Sequence, residues 1–386
     1  MRQKWFFGSA ALGALLLALG LALVLGAPPP AAAQEGLPIP GYVGSNTCAG
    51  CHRRIADQHE LHGHNWVLNR VEDGQPPDYP FDQAIAPPEG YTWADVSFVV
   101  GGFSRWAMFL DLNGYFITGA DANAHTQWNF PLVDARTGEV IVDGAWVGYR
   151  AGEAQVAYDC ARCHTTAYNY DSNTHMDGLR GVAGAWEEEG IQCEECHGPG
   201  SLHVEDPIRV NMLIDRSSQA CGACHYRGAA GVVNAADGFV DYREQFGEIQ
   251  TSPHAALECI DCHNPHQSAR YADEDVNPNR GMVNACTNCH FDQPSIQPHD
   301  ENGVTCTECH MPPLGAGGAR SADLRWGDVR SHLFQINVDP NAPQFTEDGS
   351  ASMPYITVQY VCTRCHSDWS VETMADLAAG YHAARR

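Results

Sequence analysis

Apolar residues are unevenly distributed along the 386-residue chain. Residues 5 to 27 form an uncharged apolar run behind the basic start "MRQK". "PPPAAAQEG" follows, with Ala31 and Ala33 in a small-x-small arrangement. That order reads as a secretory signal over 1–33, cut after Ala33. The run exceeds the usual length of a signal core and almost suffices to span a bilayer, so a retained anchor is the alternative. No second apolar run of spanning length follows.

Between residues 92 and 150 the pattern becomes strand-like. "DVSFVVGGFSRWAMFLDLNGYFITG" has short apolar and aromatic runs broken by Gly-Gly and Asn-Gly, a hairpin signal. "DARTGEVIVDGAWVGY" continues in the same style. A small β-rich insertion is therefore expected over 92–150. "DLNG" within it has the start of a calcium loop but lacks the further ligands, so it reads as a β-turn. At the other end, "CHSDWSVETMADLAAGYHAARR" alternates at helical spacing. Ser370 can cap that helix, with Thr373 where a capping-box glutamate would stand. Elsewhere, 38 glycines and 23 prolines punctuate the chain and predict coil with short helices.

The cysteines change this picture. All 16 fall in Cys-x-x-Cys pairs: Cys48/Cys51, Cys160/Cys163, Cys193/Cys196, Cys221/Cys224, Cys259/Cys262, Cys286/Cys289, Cys306/Cys309 and Cys362/Cys365. A histidine follows every pair: His52, His164, His197, His225, His263, His290, His310 and His366. With only 19 histidines in the chain, this regularity is no accident. A Cys-x-x-Cys-His pentad is the signature of covalent c-type haem attachment. The two thiols reach the two vinyl groups on one porphyrin edge, and the adjacent imidazole lies beneath the iron as its proximal ligand. Zinc wants four N/S ligands but gives no reason for a histidine after every second cysteine. A redox dithiol would occur once, and a disulfide framework leaves the histidines unexplained. Eight covalent haem c groups are expected, numbered here 1 to 8 with their pentads in chain order.

So many porphyrins supply much of the buried apolar area themselves. The expected fold is coil with short α-helices wrapped around a chain of eight haems. The expected divisions are 34–91 with haem 1, 92–150 as the β-rich insertion, 151–310 as a dense core with haems 2–7, and 311–386 with haem 8 and the terminal helix.

The formal net charge is −25, which argues against nucleic acid and anionic membrane surfaces as partners. Membrane contact is expected only if the N-terminal segment is retained. Lys4 is the sole lysine, so a mature chain cut after Ala33 has none. That excludes a lysine-ligated catalytic haem, and no pentad carries lysine in place of histidine.

Eleven histidines stand outside the pentads: His59, His62, His64, His125, His175, His203, His254, His266, His299, His332 and His382. Eight irons each have a sixth position, so enough imidazoles exist for every haem to be bis-histidine.

Several strings carry a family resemblance. "TAYNYDSNTHMDGLRGVAGAWEEEGIQCEECHGPGSLH" resembles the signature of multihaem c-type cytochromes related to the tetrahaem cytochromes of nitrifiers. "YVGSNTCAGCH" with "HGHNWVL" resembles the opening of those proteins. "SPHAALECIDCHNPH" and "CTECHMPP", with "RSHLFQIN", resemble segments of larger multihaem cytochromes, some of which polymerise into extracellular filaments. Matched position by position, the resemblance implies His64, His203, His254, His266, His299, His332 and His382 as distal ligands. The eighth stays open among His59, His62, His125, His175 and a neighbouring subunit. A histidine as close to its pentad as His266 is to His263 is expected to serve a different haem.

The expected function is electron transfer along closely spaced bis-histidine haems, in an exported protein that is periplasmic, extracellular or at the cell surface. Its expected partners are redox proteins or extracellular electron acceptors, and the resemblance allows a homopolymer. No catalytic residue is assigned. The alternative is a reductase or oxidase of a small nitrogen or sulfur compound, with one open haem.

Overall fold

The computed structural model describes residues 39–80, 85–293 and 299–382. The signal or anchor expected over 1–33 lies outside them. Among the described residues no helix is long and apolar enough to cross a membrane.

Most of the described chain is coil, punctuated by short helices: α1 (Ser45–Ala49), α2 (Arg53–Glu60), α3 (Ala161–His164), α4 (Cys193–His197), α5 (Ser201–Glu205), α6 (Ser218–Gly222), α7 (Gln245–Thr251), α8 (Cys306–His310), α9 (Val358–Cys362) and α10 (Val371–Ala378). The Ser370 hydroxyl accepts from the Thr373 amide and caps α10, as its sequence predicts.

One five-stranded antiparallel sheet anchors the N-terminal half, in the order β1 (Leu68–Arg70), β2 (Val96–Gly101), β3 (Trp106–Asp111), β4 (Gln127–Asn129) and β5 (Ala145–Val147). Both of its faces are covered. Phe98, Val100, Met108 and Leu110 pack on Phe116, Tyr158, Val182 and Trp186 on one side. Val96, Val99, Ala107 and Phe109 meet Ile117, Trp93, Trp128 and Trp146 on the other. Burial on two faces explains why "VSFVV" and "WAMFL" are continuous apolar runs rather than alternating ones. "DLNG" is a turn in which the Asp111 carboxylate accepts from the amides of Asn113 and Tyr115. A smaller sheet joins β6 (Val233–Ala236), β7 (Phe239–Asp241), β8 (Gly315–Ala316) and β9 (Ala351–Ser352) in the order β8-β7-β6-β9. It ties the middle of the chain to its C-terminal part.

Candidate haem-binding centres

Every pentad sits on a single helical turn. Pentads 2, 3 and 7 lie on α3, α4 and α8, while α1, α6 and α9 carry the first cysteines of pentads 1, 4 and 8. Pentads 5 and 6 use the 3₁₀ turns Cys259–Asp261 and Cys286–Asn288. In five pentads the histidine amide donates to the carbonyl of its own first cysteine at 2.8–3.0 Å, as His52 does to Cys48 and His366 to Cys362. A helical turn brings residues three apart onto one face, so both thiols point the same way. None of the sixteen cysteines forms a disulfide.

Seven of the eight pentad histidines face a second imidazole. His52 faces His203 with ring centroids 6.3 Å apart, His225 faces His64 at 5.9 Å, and His197 faces His266 at 6.1 Å. His290 faces His254 at 5.9 Å, His263 faces His332 at 6.2 Å, His366 faces His299 at 6.2 Å, and His310 faces His382 at 6.0 Å. Direct ring contact would be closer. Metal–imidazole bonds of about 2.0–2.1 Å on either side of one atom put the ring centroids roughly 6 Å apart. The gap is therefore the width that an iron and its two axial bonds need, and the residues fit the group.

The second nitrogen of many of these rings is held by a neighbour. His164 donates Nδ1–H to the Val67 carbonyl (2.9 Å), His197 to Leu213 (3.0 Å), His203 to Val210 (2.6 Å) and His310 to Phe334 (2.8 Å). His225 Nδ1 bonds Gln245 Oε1 at 3.2 Å, and His299 Nδ1 meets the Tyr381 hydroxyl at 2.8 Å. Such bonds fix the tautomer and leave Nε2 for a metal. Burial also holds the imidazoles neutral, the form that ligates: it drives His332 down to about 3 and His64 well below its ordinary value.

His164 differs from the other seven. Among the described residues, which include all nineteen histidines, no imidazole faces it. The four surplus histidines lie elsewhere or are otherwise engaged. His59 Nε2 meets the Ile191 carbonyl at 3.0 Å, His62 Nδ1 accepts from the His64 amide at 3.0 Å, and His175 Nδ1 bonds the Val182 carbonyl at 2.7 Å. His125 makes no ring pair with His164. Burial drives His164 down to about 4 against the opposing Val67 bond, and the nearby Arg243 and Arg227 guanidinium groups add to the fall.

The N-terminal residues before α1 are fastened to α4 by two carboxylates. Glu194, 2% exposed, accepts from the amides of Val43, Gly44 and Gly200 at 2.7–3.1 Å. Glu188 accepts from the Ser45 amide and hydroxyl. The carbonyls that orient the imidazoles, and the Arg227/Arg243 pair beside His164, carry no motif. Only Tyr381, adjacent to His382, could have been suspected from its position.

A chain of this architecture, with these repeated attachment pentads, is a multihaem c-type cytochrome carrying covalently bound haem. Residues 145–198 match the family model described as cytochrome c554 and c-prime. The chain is 24% identical to the multiheme cytochrome MtrA of Shewanella baltica over 210 residues, covering 50% of this chain and 55% of that protein. It is 22% identical over 298 residues to the dissimilatory sulfite reductase MccA of Wolinella succinogenes, covering 60% of this chain and 41% of that one. It thus spans about half of the length of these curated relatives. The solved octaheme sulfite reductase MccA of W. succinogenes shares the fold, with a TM-score of 0.55 over 86% of this chain and 66% of that one, at 18% identity.

Proposed function

We propose that the protein is an exported octahaem cytochrome. Seven bis-histidine haems carry electrons, and haem 2, on Cys160, Cys163 and His164, has the one iron free to bind an external ligand. The sixteen pentad cysteines hold the porphyrins. The eight pentad histidines are the proximal ligands, and His64, His203, His254, His266, His299, His332 and His382 are the distal ones. The observation that carries this reading is the asymmetry among the pentads: seven imidazoles have an opposed partner at 5.9–6.3 Å and His164 has none. Haem supplies one-electron chemistry, and the protein tunes it through axial ligands, hydrogen bonds and burial. The apolar run at 5–27 supports export. The open iron favours reduction of a small oxidised sulfur or nitrogen compound fed by the bis-histidine haems, and the fold shared with a sulfite reductase is compatible with it.

A second reading is supported by His175. Its Nδ1 is fixed on a backbone carbonyl, as in the proposed ligands, yet no pentad histidine faces it. In a homopolymer, His175 of one copy would complete haem 2 of the next, and the protein would be a pure conduit to redox partners or extracellular acceptors.

An EPR spectrum of the air-oxidised protein, with carbon monoxide added to a reduced aliquot, tests the proposal. One high-spin ferric signal and one carbon monoxide adduct per chain are expected. Only low-spin signals and no adduct would overturn the open iron. If these spectra come with large particles in solution, the homopolymer is the better reading.

A further inference from the structure

The order in which the haems are attached along the chain is not the order in which their pentads touch. The Cys48 thiol is in hydrogen-bond contact with Cys193, Cys221 with Cys259, and Cys286 with Cys306. Cys196 lies beside Cys221, Cys262 beside Cys286 and Cys289, and Cys309 beside Cys362 and Cys365. The elements repeat this pattern: α1 packs on α4, α6 on the Cys259–Asp261 turn, and α8 on α9. Ser218 of α6 also accepts from the Cys259 amide at 3.0 Å. Read as neighbours, the pentads form one row, 1-3-4-5-6-7-8.

Pentad 2 is missing from that row. Its Cys163 thiol touches Cys224, the second cysteine of pentad 4. The backbone independently makes the same connection. His164, proximal at pentad 2, hangs by Nδ1 from the Val67 carbonyl. His64, which faces His225 of pentad 4, lies on the 3₁₀ turn Gly63–Trp66 just before Val67. Two successive amides then bridge the two histidines: Gly190 donates to the His164 carbonyl at 3.0 Å and Ile191 to the His64 carbonyl at 2.9 Å. Gly190 has φ +76°, and a Cβ there would stand 2.4 Å from the Asn65 carbonyl oxygen, so only glycine fits this seam.

We infer that haem 2 is a side branch joined at haem 4 to a row of seven haems, so that electrons from either end of the row reach the open iron through haem 4. The inference rests on the open iron proposed above. In the step itself one electron leaves ferrous haem 4 and reduces ferric haem 2, with no bond made or broken. Reduced partners at haem 1 or haem 8 replace the electron. Cys51 and His52 at one end and Cys365 at the other are solvent-exposed, as contact with partners requires.

The test is laser photolysis of carbon monoxide from the partly reduced, fully haem-loaded protein. Once the ligand leaves ferrous haem 2, its electron flows back to an oxidised neighbour, and the fast phase reports that neighbour. Methionine in place of a distal histidine raises a haem's potential. H64M is therefore expected to change the fast-phase amplitude several-fold, whereas H266M at haem 3 and H382M at haem 7 leave it unchanged. A fast phase that responds to H266M and ignores H64M overturns the branch at haem 4. Absence of any adduct would overturn the open iron instead, so the two failures are distinguishable.

EPR of the unmodified protein gives a second readout that needs no variant to fold. The low-spin signal that sharpens when carbon monoxide removes the neighbouring high-spin iron should belong to the tilted His64/His225 pair, at 52°. Sharpening of the signal of the parallel His197/His266 pair, at 1°, overturns the proposal.

Discussion

His266 stands opposite His197 with ring planes 1° apart and centroids 6.1 Å apart, although it follows His263 by only three residues. The imidazole that faces His263 is His332, from beyond pentad 7. The chain thus fastens neighbouring centres by giving each pentad's nearby histidine to a different one. Removing His266 should therefore expose haem 3 and leave haem 5 six-coordinate. H266A is expected to add a second carbon monoxide adduct per chain, whereas H125A adds none. A carbon monoxide titration followed in the Soret band measures this.

Ring tilt gives a separate expectation. Parallel axial imidazoles split the iron d orbitals strongly and give rhombic low-spin spectra, while perpendicular ones leave those orbitals nearly degenerate and give highly anisotropic signals. His254 and His290 cross at 80°. The pairs His197/His266, His310/His382 and His52/His203 are within 23° of parallel. The most anisotropic signal should belong to haem 6 and disappear in H254A, with the rhombic signals intact. Loss of a rhombic signal instead would contradict the assignment.

Glu194 should be a large stability determinant. E194A leaves the amides of Val43, Gly44 and Gly200 without their carboxylate acceptor at a buried site. Each bond to a charged group contributes about 1.5–3 kcal/mol. A loss of ~3 kcal/mol or more is expected, with earlier proteolysis ahead of α1. Thermal unfolding monitored by the Soret band checks it, and a change under ~1 kcal/mol would refute the role.

Asp348 gives a pH dependence away from any haem. Bonds from the Thr346 hydroxyl and the Ser350 amide and hydroxyl hold its carboxyl down at about 2. A depressed folded value means the unfolded chain binds the proton more readily. Its stabilisation is therefore present above about 4 and lost as pH falls toward 2. The difference in melting temperature between the native chain and D348N should be small at neutral pH, as befits an exposed group, and vanish near pH 2.

G190A should disturb one haem in particular. The added methyl meets the Asn65 carbonyl at φ +76°, on the seam between His164 and His64. A left-handed conformation alone costs a non-glycine residue roughly 1–2 kcal/mol. The variant should melt earlier and show an altered high-spin spectrum, with the rhombic low-spin signals unchanged.

The pentads are legible because attachment is local: five residues on one turn carry the whole instruction. "VSFVV" and "WAMFL" are legible as strands for the same reason, whereas three-residue β1, Leu68–Arg70, has no pattern to read and lies outside the 92–150 stretch assigned to β structure. The facing of histidines is a different kind of fact. His64 meets His225 and His52 meets His203 across more than a hundred residues, and nothing near either partner encodes the other. Counting eleven spare imidazoles for eight irons gave no warning about His164. Numbers do not show that His59 and His62 would crowd beside His64 instead.

Met282 to Asp292, which contains pentad 6, is exposed along its whole length apart from the haem it would carry. With few side-chain contacts of its own, such a stretch gains its order from cross-links. Two thioethers pin it at one point, and an axial bond from His254 to the iron above His290 closes a loop back to an earlier segment. Closing loops in this way lowers the entropy of the unfolded chain, much as a rivet stiffens a flexible strap. In this protein the iron–nitrogen bonds are mechanical fasteners as well as redox ligands. A distal histidine lost in this region would slacken the chain before it silenced the electron path.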